Sequence, residues 1–129
     1  MTGAETAEWL ADQGKHVTIV EVQEEVGIKI NWILRHALLA RLREKKITLF
    51  TRARCERVTR EGVIITTYEG DQKLIQADTV LVAVGTKADS GLYEILKDRY
   101  RRVFRVGDCV EPHGILEAIA EGAEVGRLI

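Results

Sequence analysis

The sequence predicts an α/β fold in which helices flank a partial parallel sheet that carries an antiparallel β-meander. Helical patterns and short strand-like runs alternate twice over residues 4–50, which is typical of parallel strands joined by helical crossovers. Short strand-like runs separated by turn residues then follow at about residues 53–77, and this spacing indicates an antiparallel meander. The chain has 129 residues, of which 46% are hydrophobic, enough apolar material for one core.

The first two elements are a helix and a strand. Apolar residues recur at helical spacing over residues 4–13, and Gly14 follows where a helix end favours positive φ. The nearly continuous β-branched run at residues 17–21 then predicts a strand that is covered on both faces.

The next two elements repeat this order. Leu34, Leu38 and Leu42 recur every four residues and predict a helix within residues 31–46. Residues 47–50 follow as the next strand.

The C-terminal half continues with strands and a helix. Residues 79–84 are the most apolar strand-like run in the chain, and residues 103–106 are a further short one. Residues 115–129 show helical spacing of apolar side chains, with small residues on a neighbouring strip that allow close packing against a sheet.

Composition excludes several classes of function. Lys and Arg number 19 against 20 Asp and Glu, a net charge of −1 that argues against a nucleic-acid partner. No apolar run approaches the roughly 18 residues of a membrane span, and the N-terminus lacks the apolar centre of a secretion signal. Cys55 and Cys109 show neither CxxC nor metal-ligand spacing. These features predict a cytoplasmic protein with reduced cysteines, no metal site and no membrane partner.

Residues 3–21 carry the clearest chemical signal. Gly3 begins the first helix, where the absence of a side chain permits close contact between helix and strand. Glu21 lies at a strand end 18 residues later, where a carboxylate can accept hydrogen bonds from ribose hydroxyls. Such an acid favours NAD(H) over NADP(H), because it repels a 2′-phosphate. The alternative is that Gly3 merely begins the helix and Glu21 is a solvated strand end.

Four segments together resemble a known family. They are GAETAE at residues 3–8, VTIVE at 17–21, VFRVGDC at 103–109 and GILEAIAEG at 114–122. In this order they resemble the Rossmann-like nucleotide-binding domains of the pyridine nucleotide-disulfide oxidoreductases. The resemblance is closer to the C-terminal region of the NADH:flavin oxidoreductase / 2,4-dienoyl-CoA reductase family.

The resemblance implies a set of residues for NAD(H). Gly3 matches the third glycine of the GxGxxG motif, and Glu5 matches an acid just inside the helix, near the nicotinamide. Glu21 matches the ribose acid, and Gly85 matches the glycine where the chain leaves the nucleotide site.

For FAD, the resemblance implies Gly107 and Asp108, the carboxylate of the latter bonding the ribityl or pyrophosphate region. Asp108 could instead cap a helix or order its loop. No catalytic side chain is expected, because the cofactors supply the chemistry in such enzymes.

The family's first strand and first two motif glycines have no counterpart here, so the resemblance implies an N-terminally truncated chain. Residues 1–98 would be a NAD(P)-binding domain without its first strand, and residues 99–129 the last segment of a FAD-binding domain. The implied function is hydride transfer from NADH to flavin in a parent enzyme, with the isolated chain inactive. Its partners would be upstream flavoprotein domains or a second copy. The alternative is a non-catalytic nucleotide-binding or structural module that forms homodimers through its open sheet.

Overall fold

Helix and strand alternate over the first fifty residues as expected. The structure, a computed structural model, describes residues 2–129. Its first elements are helix α1 (Thr2–Asp12), strand β1 (Thr18–Val20), helix α2 (Trp32–Glu44) and strand β2 (Thr48–Phe50). The two strands pair in parallel, with Thr18 opposite Thr48 and Val20 opposite Phe50. The α/β fold class is therefore confirmed.

The first core lies among α1, α2 and the parallel strands. Its buried members are small or aliphatic: Ala4, Ala7, Val26, Leu38, Leu42 and Ile47. At the surface, the Arg41 Nε donates to Glu8 at 2.6 Å, and Lys45 pairs with Asp12. These two ion pairs lie about one turn apart and connect α1 to α2 and to Lys45, the C-cap residue of α2.

The predicted meander is also present. Strands β3 (Arg54–Thr59), β4 (Gly62–Thr66) and β5 (Gln72–Gln76) form an antiparallel sheet in the order β3-β4-β5. Ala53, Val63 and Ile65 form its buried core, against which Val20 and Val80 also pack. The meander is therefore joined to the parallel strands by shared apolar contacts.

Two predicted strands are wrong. Residues 79–84 and 103–106 have no regular secondary structure, and no strand within residues 2–129 pairs with either. A strand needs a neighbour for its backbone N–H and C=O groups, and apolar sequence alone does not supply one. Val80 packs on the meander core, but most other side chains of this segment are open to solvent: Leu81 is 60% exposed and Val84 is 90% exposed.

The chain divides into two compact units, Met1–Ala83 and Val84–Ile129. The second unit contains helix α3 (Gly91–Leu96), which the sequence did not predict, a 3₁₀ turn at Gly107–Cys109 and helix α4 (Ile115–Gly126). All buried residues of the described chain lie between Ala4 and Ile65, so this unit has no core of its own. On α4, Ile115 is 81% exposed and Ile119 is 63% exposed. The expected packing of this helix against a sheet is therefore absent from the described residues.

Within residues 2–129, none of the helices combines the length and apolar character that crossing a membrane requires.

Candidate functional site

Gly3 lies against the segment that follows the meander. A β-carbon placed on Gly3 would lie 2.8 Å from the Ala83 β-carbon, closer than real β-carbons approach. The N-terminal turn of α1 therefore contacts residue 83 in a way that only glycine permits. The sequence predicted a close contact of Gly3 with a strand, which residues 79–84 do not form, and the role of Gly3 toward a nucleotide stays a prediction.

Glu21 directly follows β1 and is half-buried. Its backbone N–H donates to the Phe50 carbonyl at 2.8 Å, which continues the parallel ladder by one residue. Its Oε1 accepts the Gln23 N–H at 3.0 Å, and this bond orients the carboxylate. Among residues 2–129, no hydrogen bond engages its Oε2. One oxygen thus holds the loop, and the other is available to a hydroxyl donor.

The remaining residues assigned to NAD(H) are solvent-exposed. Glu5 lies in the first turn of α1, and the Glu8 ion pair with Arg41 lies one turn further along. Gly85 has a φ of +95°, but the strand that it was predicted to end is not formed. Gly85 belongs to the second compact unit.

Asp108 lines a cavity in the second unit. The cavity has a volume of about 350 Å³, and its other lining residues are His113, Gly114, Ile115 and Ala118. Gly114 is the N-cap of α4, so the exposed Asp108 carboxylate faces the same cavity as the beginning of that helix. A carboxylate accepts hydroxyl groups, whereas the beginning of α4 already carries an anionic group, because the Gly114 N–H donates to Glu117 Oε2 at 3.1 Å. The cavity therefore offers a carboxylate acceptor, and the role of Asp108 toward flavin stays a prediction.

The Gly107–Asp108 turn is fixed by a residue that sequence analysis missed. The Gly107 N–H donates to Glu121 Oε2 at 2.6 Å, and Gly107 has a φ of +67°. A β-carbon on Gly107 would lie 3.5 Å from the Ala118 β-carbon, so the turn packs on the α4 face that carries Ala118 and Glu121. The i, i+3 spacing of Ala118 and Glu121, which places both on one face of a helix, could have been recognised in the sequence. That spacing does not indicate that the turn at Gly107, fourteen residues before Glu121, packs on the same face of α4.

The chain is similar to characterised oxidoreductases. Residues 1–122 match the family model described as pyridine nucleotide-disulphide oxidoreductase. Cinnamate reductase of Clostridium sporogenes is 32% identical over the whole chain, which covers 20% of that protein. NADH oxidase of Thermoanaerobacter brockii is 29% identical over 97% of the chain, which covers 19% of that protein.

Solved structures show the same relationship. A 2-naphthoyl-CoA reductase complex superposes with a TM-score of 0.85 at 29% identity, over 98% of this chain and 19% of the other. The chain thus spans about a fifth of the length of these relatives. Because the family model matches nearly the whole sequence, the chain belongs to the pyridine nucleotide-disulphide oxidoreductase family.

Proposed function

We propose that this chain is part of an FAD- and NAD(H)-dependent oxidoreductase in which hydride passes from NADH to flavin. Within its family, we assign it to the NADH:flavin oxidoreductase / 2,4-dienoyl-CoA reductase branch. Support comes from relatives named as a cinnamate reductase and an NADH oxidase, and from the fold shared with a 2-naphthoyl-CoA reductase. The observation that carries the proposal is the oriented Glu21 carboxylate at the carboxyl end of a parallel strand.

In this proposal, the first unit binds the nicotinamide nucleotide. Glu21 accepts a ribose hydroxyl through the oxygen that Gln23 does not use. Gly3 lets the N-terminus of α1 approach the chain closely. Glu5, in the first turn of that helix, is assigned to the nicotinamide end. Gly85, which belongs to the second unit, keeps only its sequence assignment as the residue at which the chain leaves the nucleotide-binding segment.

The flavin is bound through the second unit. Asp108 accepts hydroxyl groups in the cavity at the beginning of α4, and Gly107 shapes the turn that presents it. We assign residues 1–98 to NAD(P) binding and residues 99–129 to flavin binding. The bound cofactors supply the redox chemistry, and this chain contributes orientation and hydrogen-bond acceptors.

We further propose that the isolated chain does not turn over NADH. Residues 84–129 contain no buried side chain, and the apolar side chains of α4 are exposed. So small a unit with no core has little to hold a cavity in one shape. We therefore expect other flavoprotein domains to cover it in the active enzyme.

Two measurements on the purified chain test the proposal. Calorimetric titration should show heat of binding for NADH and a weaker response for NADPH, because Glu21 repels the 2′-phosphate. The visible spectrum after incubation with FAD and gel filtration reports flavin retention. A colourless protein with no heat of NADH binding would contradict cofactor binding by this chain.

The variant Glu21→Arg makes the test specific. It replaces the acid with a cation, so the preference should change from NADH toward NADPH. Glu44→Arg, which makes the same charge change at the end of α2, is the matched control and should leave the preference unaltered. An unchanged preference in Glu21→Arg would show that Glu21 does not contact the ribose.

A second candidate is a non-catalytic module that associates with its own copies. The observation in its favour is the unpaired segment at residues 79–83, in which Leu81 is 60% and Val82 is 75% exposed. Unpaired backbone beside exposed apolar side chains favours strand pairing between molecules. Sedimentation velocity tests this candidate, which requires a stable dimer in solution, and a monomer at all concentrations would contradict it.

A further inference from the structure

Backbone hydrogen bonds join the loops after β1 and β2 beside Glu21. The Ala53 N–H donates to the Glu21 carbonyl at 3.0 Å, and the Arg52 N–H donates to the Gln23 carbonyl at 2.8 Å. Arg52 follows β2 in the sequence, 31 residues away from Glu21. The fold therefore places Arg52 next to the loop that begins with the proposed ribose acid.

Arg52 has an unusual backbone and a fixed side chain. Its φ is +50°, a left-handed conformation that residues other than glycine seldom adopt. Its guanidinium donates to Glu24 Oε2 at 2.8 Å and lies 5.2 Å from the centre of the Tyr68 ring. The Arg52 side chain is still 47% exposed. The guanidinium plane is thus held by an ion pair and an aromatic ring while part of it faces solvent.

Local charge restricts what this plane can bind. Glu24 already neutralises the Arg52 guanidinium, and Glu21 adds a further negative charge to the same loop. This negative charge disfavours the binding of a phosphate group at the Arg52 guanidinium. A flat, delocalised guanidinium stacked on an aromatic ring instead suits another flat π-system.

We propose that Arg52, supported by Tyr68 and oriented by Glu24, is the stacking surface for the adenine base of the nucleotide. This inference rests on the proposed function, because the base is attached to the ribose that Glu21 is proposed to bind. Glu21 thereby selects the sugar, and Arg52 binds the base.

The test compares two ligands that differ only in the base. AMP and ribose 5-phosphate share the sugar and phosphate, and both are titrated into the ¹⁵N-labelled chain while amide shifts are followed by NMR. Arg52→Ala should weaken AMP binding about fivefold and leave ribose 5-phosphate unchanged. Arg52→Lys keeps the positive charge but removes the planar guanidinium, so it should weaken AMP binding about as much as Arg52→Ala does.

Two further variants serve as backup and control. Tyr68→Leu removes the supporting ring without altering the strained residue 52, and it should also weaken AMP binding selectively. Arg54→Ala removes a cation that is 76% exposed at the beginning of β3, and it should have no effect on either ligand.

Each contrary result has a defined meaning. AMP affinity that is unchanged in Arg52→Ala and Tyr68→Leu, or fully retained in Arg52→Lys, overturns the stacking role. Equal losses for AMP and ribose 5-phosphate also overturn it, because they would indicate a contact with the sugar or the phosphate. Calorimetry with NADH on the same samples distinguishes failure of the stacking role from failure of the proposed function. If the wild type binds NADH while any of these results holds, the proposed function is retained and only the stacking surface is lost.

Discussion

Gly3 and Ala83 are in contact at a distance that leaves no room for a side chain on residue 3. The two positions are 80 residues apart, yet a β-carbon on Gly3 would lie 2.8 Å from that of Ala83. We expect Gly3→Ala to lower the free energy of unfolding by about 1–3 kcal/mol, as overpacking usually does. Urea denaturation followed by circular dichroism measures the loss.

The double variant Gly3→Ala/Ala83→Gly should recover part of that stability, because it moves the methyl group from one side of the contact to the other. Gly122→Ala is a matched control inside α4, where a β-carbon would meet no atom within 4 Å. It should be neutral or slightly stabilising. Equal destabilisation by Gly3→Ala and Gly122→Ala would contradict the contact.

Leu42 and Leu34 lie on the same helix in opposite environments. Leu42 is fully buried, whereas Leu34 is 64% exposed. Leu42→Ala should therefore cost about 2–5 kcal/mol in urea denaturation, because it leaves a cavity in the first core. Leu34→Ala makes the same change at the surface and should cost less than about 0.5 kcal/mol. Similar costs for both variants would contradict the burial of Leu42.

The same leucines show what sequence could predict. Their spacing of four residues correctly predicted a helix. Each step of four residues turns about 40° beyond a full helical turn, so the three leucines span about 80°, which one apolar helix face can accommodate. Leu38 and Leu42 are buried and Leu34 is not. Periodicity determines the helix, whereas the exact facing depends on which elements pack against it.

Sequence was least informative where pairing is decided by distant residues. The runs that form β1 and β2 pair with each other in parallel, whereas residues 79–84, the most apolar strand-like run in the sequence, have no partner strand within residues 2–129. The site shows the same limit. Glu21 could be recognised in the sequence because it directly follows a strand-forming run. Arg52 and Glu121 could not, because their contacts are with residues distant in sequence that only folding brings close.

The Glu8–Arg41 pair should make stability depend on pH. The hydrogen bond from Arg41 lowers the pKa of Glu8 below its ordinary value of 4.5. A carboxyl group with a lowered pKa in the folded state stabilises the fold above its unfolded pKa. That stabilisation is lost as the pH falls through the folded value. Glu8→Gln should thus be less stable than wild type at pH 7, and the difference should shrink below about pH 4.5.

Urea denaturation of both proteins at several pH values checks this dependence. Glu44→Gln, at the exposed end of α2, controls for the loss of one negative charge. A Glu8→Gln deficit that stayed constant from pH 7 to the acid range would show that the ion pair does not contribute.

The bond between Gly107 and Glu121 should control the opening of the Asp108 turn. Glu121→Ala removes the acceptor of the Gly107 N–H, so hydrogen exchange of that amide should accelerate by about tenfold. Glu121→Gln keeps a carbonyl oxygen at nearly the same place and should restore most of the protection. Glu124→Ala, on an exposed position of α4, should leave the Gly107 amide unaffected. NMR-detected exchange measures all three variants, and equal rates in Glu121→Ala and wild type would show that Glu121 does not hold the turn.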